Sequence, residues 1–155
     1  MKFDLLHGRL GRHRFHPMIV HFPTGLYPFS LVVDIIGYAT RNDTFHNAGL
    51  YALFAAAGMS VPAMLYGFID FLKIETSGKA WKKAGLHALL NLVWFIIFCT
   101  LLFYRIKHLN VGTIYIAVMA LSTMGLFYSN FLGADLIISH RIGIDSDEGR
   151  TQNEK

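Results

Sequence analysis

The residues able to do chemistry sit in a few places. The stretch His16-Pro17-Met18-Ile19-Val20-His21-Phe22-Pro23 holds two imidazoles five positions apart, among three prolines counted through Pro28. His87 and Asn91 stand four positions apart, one turn on the same helical face. Asp34, Asp70, Asp135 and His140 are isolated polar residues within or at the ends of apolar runs. Neutral imidazole suits zinc, copper, iron and nickel, and carboxylates can complete such a shell. Two imidazoles from different helices can also ligate a haem iron axially. No His-Glu-x-x-His motif, glycine-rich phosphate loop or serine–histidine–acid motif accompanies them. These residues therefore matter only if distant segments bring them together.

The segments that could do so are apolar. Hydrophobic residues make up 54% of the 155, and charged residues only 15%, against about 25% in soluble domains. Stretches 18–39, 46–72, 84–104 and 111–139 each hold enough apolar positions to cross a ~30 Å hydrocarbon core, which takes roughly 20 helical residues. Four such stretches leave too little polar surface for a soluble fold, and they are too long for β-barrel strands. The predicted fold is all-α: an integral membrane four-helix bundle, up-down-up-down, with helices over about 17–39, 46–72, 82–105 and 111–139. The transmembrane domain covers 16–144. Residues 1–15 form a polar, basic N-terminal arm, read as a loop or a short interfacial helix, and 145–155 a disordered polar tail. Pro17 suits a first helical position, and Pro23, Pro28 and Pro62 predict irregular or kinked helices. The first run is interrupted by His21 and two prolines and lacks a small-x-small site, so it reads as an uncleaved span. Gly125, Ser129 and Gly133 make a small-xxx-small stripe for close helix packing. Cys99 is the only cysteine and permits no intrachain disulfide. The sequence shows no internal repeat. It also shows no basic helix or aromatic–basic interleaving of the kind that binds nucleic acid.

An even number of crossings places both termini and the 73–83 loop on one side. That side carries Lys2, Arg9, Arg12, Arg14, Lys73, Lys79, Lys82, Lys83, Arg141, Arg150 and Lys155; the other carries Arg41, Arg105 and Lys107. The positive-inside rule then puts both termini in the cytoplasm. The topology gathers His16, His21, His87 and His140 at that face, together with Asp70 and Asp135. Three readings stand open for this cluster: haem b, another transition metal, or a hydrogen-bonded polar cluster that ties helix ends together. His21 and His87 are the expected axial pair, since both sit inside helix starts. His16 and His140 are alternates, Asp70 a further metal ligand, and Asn91 or Asp135 a group that orients a ligand ring. Asp34 is a candidate proton relay. Its alternative is a carboxyl paired with Arg41, Asn42 or a hydroxyl.

These positions also resemble a known family. His16-Pro17-x-x-Val20-His21-Phe22-Pro23-x-Gly25-Leu26, Asp34, Gly67-x-x-Asp70, His87-x-x-x-Asn91 and the closing run Gly133 to Ile144 resemble the four-helix bacterial membrane family known as domain of unknown function 2231. Ala134, Ile138 and Arg141 depart from its closing motif. The resemblance implies a multi-pass protein of the bacterial inner membrane. It leans towards redox work, since such domains are sometimes fused to cytochrome-type modules. The expected role is an electron-transfer or accessory subunit, not an enzyme on its own, that meets lipid and other membrane or cytochrome subunits and could form homo-oligomers. The alternative is a cofactor-free structural or assembly subunit. A transporter or proton conductor using Asp34 is a third reading, weakened by the lack of a visible repeat.

Overall fold

The computed structural model describes residues 3–4, 9–10, 13–74 and 78–140. Three two-residue strands, β1 (Phe3–Asp4), β2 (Arg9–Leu10) and β3 (His13–Arg14), pair antiparallel in the order β1-β2-β3. The arm is thus a small antiparallel ladder where a loop or interfacial helix was expected. Helices follow as α1 (Phe15–Ile19), α2 (His21–Thr40), α3 (Asp43–Phe71), α4 (Lys79–Lys107) and α5 (Thr113–His140). Four spans, Phe15–Thr40, Asp43–Phe71, Lys79–Lys107 and Thr113–Ser139, are long and apolar enough to cross a membrane. The expected tail at 145–155 lies outside the described residues.

The helix boundaries have local causes. Pro23 has no N–H to give to the carbonyl of Ile19, and the first span breaks there into α1 and α2. The chain stays nearly continuous across the break, since Val20 N–H donates to His16 O and Thr24 N–H to Val20 O, each at 3.1 Å. Asn42 caps α3, its side chain accepting from Thr44 N–H at 2.9 Å. Gly78, at φ 121°, turns the chain into α4, a conformation that favours glycine. The helix starts there, three residues before the expected position.

One packing rule runs through all four spans. Inward residues recur at alternating steps of three and four: His16, Val20, Pro23, Tyr27, Ser30, Asp34 and Gly37 on α1–α2; His46, Gly49, Leu53, Ala56, Ser60, Ala63 and Gly67 on α3; Ala84, His87, Asn91, Trp94, Phe98, Leu101 and Arg105 on α4; Tyr115, Met119, Ser122, Leu126, Ser129, Gly133 and Leu136 on α5. This spacing is the seam of antiparallel bundles. Helix α2 packs on α3 and α5, α3 on α4, and α4 on α5, which closes the ring. The centre is held by Tyr27 and Phe98, stacked from diagonal helices at 3.7 Å, with Leu53, Ala56 and Met119 fully buried around them. Large apolar side chains such as Phe54, Phe103, Ile114, Leu121 and Phe131 point outward, as they must if the surround is lipid.

The packing exposes a repeat that the residue identities hide. His16 and His87, Tyr27 and Phe98, and Asp34 and Arg105 occupy matching seam positions, each pair 71 residues apart. Ala63 and Ser129, Gly67 and Gly133, and Gly49 and Tyr115 match likewise, each 66 apart. The hairpins α1–α2–α3 and α4–α5 thus present matching seam positions to the bundle interior and run the same way through the membrane.

Candidate functional site

The end of the bundle that carries α1 and the start of α4 holds two imidazoles in one setting. His16 Nδ1 lies 2.8 Å from Ala63 O on α3, and His87 Nδ1 lies 2.8 Å from Ser129 O on α5. A carbonyl only accepts, so each ring carries a proton on Nδ1, and in the neutral ring the lone pair is then on Nε2. Each ring edge rests on a glycine one turn beyond its carbonyl. A Cβ on Gly67 would come within 2.8 Å of His16 Cε1, and one on Gly133 within 2.7 Å of His87 Cε1. The stripe Gly125–Ser129–Gly133 thus packs as expected, with Trp94 on Gly125 and His87 on the rest.

The other expected members do not join them. His21 is exposed, because five residues carry it about 140° around the helix from His16. Of the expected axial pair, His87 lies on the inward seam and His21 does not; His16 holds the seam position on α1. Asn91 does not fix the His87 tautomer; Ser129 O does. The Asn91 amide nitrogen is 3.3 and 3.1 Å from the two ring nitrogens of His87. An in-plane position at both distances would collide with the ring, so the amide lies over its face while donating to His87 O at 2.9 Å. Asp135 accepts from Lys83 and, at 2.6 Å, from Ser139, which ties α5 to α4. Asp70 lies 3.7 Å from Lys73 at the end of α3. His140 closes α5, and its side chain lies outside the described residues. Among the described residues, no three histidine, cysteine or carboxylate side chains form a metal-holding group. What is assembled is a pair.

A second polar centre occupies the opposite end. Arg105 and Asp34 are fully buried, and Nη2 donates to Oδ1 at 2.9 Å. Arg105 also donates to the carbonyls of His46, His108 and Leu109. His46 Nδ1 stands 3.6 Å from the same carboxylate oxygen, and the Tyr115 ring lies 5.7 Å from the guanidinium. Asp34 Oδ1 fits only because residue 49 is glycine, whose Cβ would be 2.4 Å away. Ser30 donates to Gly49 O at 2.8 Å and fixes α2 on α3 beside it. The expected partners of Asp34, Arg41 and Asn42, are exposed; its partners are Arg105 and His46. The signal for this was the three–four seam of α4, which runs without a break from His87 to Arg105.

A family described as Predicted membrane protein (DUF2231) matches residues 12–146, and the chain belongs to it. No curated protein and no solved structure matches the chain.

Proposed function

Starting from membership in a family of membrane proteins, we propose that this bundle is a bacterial inner-membrane electron-transfer or accessory subunit that holds haem b, or another transition metal, through His16 and His87. The observation that carries the reading is the matched pair of Nδ1–H···O=C bonds at 2.8 Å. A ligating histidine characteristically gives its second ring N–H to such an acceptor, which fixes the ring and raises the basicity of the free nitrogen. Both residues occupy inward seam positions, on α1 and α4, from which two imidazoles could be offered to one bound group. When bound, a haem would supply one-electron chemistry; the chain supplies the two lone pairs, a dry surround and a fixed ring orientation. The excess of basic residues at this end supports a cytoplasmic location for it. Burial of Arg105 sharpens that asymmetry, since it leaves only Arg41 and Lys107 as cations on the other rim.

A second reading has its own support. The Asn91 amide over the His87 face and the two glycine seats satisfy both rings without any cofactor, as pins in a structural subunit. The test is an absorption spectrum with elemental analysis of protein gently purified from a haem-replete host. A Soret band lost in His16→Ala and in His87→Ala, and kept in His21→Ala, is expected. Colourless, metal-free protein refutes the cofactor and leaves the structural reading.

A further inference from the structure

The polar centre of the far end has more bonding capacity than its protein partners use. Asp34, Arg105, His46 and Tyr115 are 0, 0, 3 and 5% exposed. Yet Asp34 Oδ2, His46 Nδ1, Arg105 Nε and the Tyr115 hydroxyl have no hydrogen-bond partner among the described residues. Four such atoms in one place are unusual, because buried polar groups are almost always paired with protein or ordered water. They are also complementary. Arg105 Nε–H and the Tyr115 hydroxyl can donate, while Asp34 Oδ2 and an unprotonated His46 Nδ1 can accept. This is the complement of a water molecule, and the site is polar enough to retain one.

An approach from the aqueous side exists. A cavity of about 520 Å³ at this end is lined by Gly37, Tyr38, Arg41, Asp43, His46 and Asn110. His46 is the residue that both lines the cavity and faces the buried carboxylate. Towards the middle of the bundle the path is closed by the Tyr27–Phe98 stack with Leu53 and Met119. Access is therefore from one face.

We infer that the His46–Asp34 pair is a proton-binding site, hydrated through this cavity and set on the Arg105 and Tyr115 side chains. A proton arriving through water adds to the lone pair of His46 Nδ1, leaving a neutral water behind. The new N–H turns to Asp34 Oδ1, for which the 3.6 Å separation needs only a small closure. The charged and titratable groups facing His46 are Asp34 from α2, Arg41 beyond it, Asp43 on its own helix, Arg105 from α4 and Tyr115 from α5. Asp34 and Asp43 favour the proton, and the two arginines oppose it. Asp34 alone stands within reach of Nδ1 and decides the affinity. This site is independent of the imidazole pair at the other end, so either can fail without the other.

The experiment is nitrogen-15 NMR of ring-labelled histidine in the full-length protein in lipid nanodiscs. His46 is assigned by loss of its signal in His46→Gln or from the backbone sequence. Its ring is expected to change protonation state in one step over the pH range scanned, with a cross-peak to water. Asp34→Asn should lower its proton affinity at least about tenfold. If Asp34→Asn does not fold, Tyr115→Phe replaces it and should shift the same titration while leaving the ion pair intact. A His46 ring that holds one protonation state throughout, shows no water contact, or titrates identically in the folded variant overturns the inference.

Discussion

Removing Arg105 should damage this protein more than removing the charge of Asp34. The pair stands at 2.9 Å with both side chains fully buried. At an effective dielectric of about 20 the attraction is roughly 6 kcal/mol. Desolvation costs several kcal/mol per ion and offsets most of it, so the intact pair adds little net stability. The asymmetry lies in what each deletion strands. Arg105→Met leaves a buried carboxylate facing only His46, and it frees the carbonyls of His46, His108 and Leu109 that the guanidinium had served. The expected loss is about 3–5 kcal/mol. Asp34→Asn keeps the shape that fits against Gly49 and leaves Arg105 three carbonyl acceptors, so about 1–3 kcal/mol is expected. In the double variant no charge is stranded. It should be no less stable than Arg105→Met alone, so the two losses fall short of additivity. Reversible unfolding in mixed detergent micelles measures all four corners of the cycle. Losses that add within about 0.5 kcal/mol, or a larger loss for Asp34→Asn than for Arg105→Met, would refute the reasoning.

Two further outcomes follow from packing and charge. Gly125→Ala places a Cβ 2.0 Å from Trp94 Cζ2, and Gly133→Ala one 2.7 Å from His87 Cε1; each should cost about 1–3 kcal/mol by overpacking. Gly25→Ala meets nothing within 4 Å and should instead be neutral or stabilising by up to about 1 kcal/mol, all read by the same unfolding assay. In a Cys99→Ala background, Asn110→Cys should react with an impermeant thiol reagent applied outside the cell, and Lys82→Cys only after the membrane is breached; the reverse pattern would invert the assigned orientation.

The four spans were legible because length and apolarity in lipid leave few alternatives. The gathering of histidines was only half legible. Topology places a residue at a depth, but the angle around the helix decides whether it faces its neighbours. His21 shares the depth of His16 and not its face. The three–four seam carries that angle and was already present in the sequence, but its identities disguise it: glycine, serine and alanine hold five of the seven inward positions on α3 and three of the seven on α5, so hydrophobicity marks the inner face poorly. For the same reason Arg105 read as a loop-edge cation. Its position seven residues beyond Phe98 puts it on the buried stripe, opposite Asp34 on the matching turn.

The matched seam positions differ in what they tolerate, because residues of α2 and α4 at the same level meet across the bundle. An aromatic ring tolerates such a partner, and Tyr27 stacks on Phe98 with little change of type. A charge does not, because two like ions in a low-dielectric interior repel strongly. At the next level the same constraint is met by opposite charges, Asp34 and Arg105. His16 and His87 are the level where identity persists in side chains that could carry charge. Their Nδ1–H bonds to neighbouring carbonyls leave Nε2 as the position of the lone pair in each neutral ring. Two identical lone-pair donors have no use for each other directly, but both can serve one electron-pair acceptor. A shared metal ion meets that condition, and a shared proton is its simplest substitute. A His87→Gln exchange separates the two. The carboxamide can accept a hydrogen bond from His16 but is a poor haem ligand, so under the proposed haem reading the folded variant should lack any Soret band of the parent, and a band that persists refutes ligation by His87.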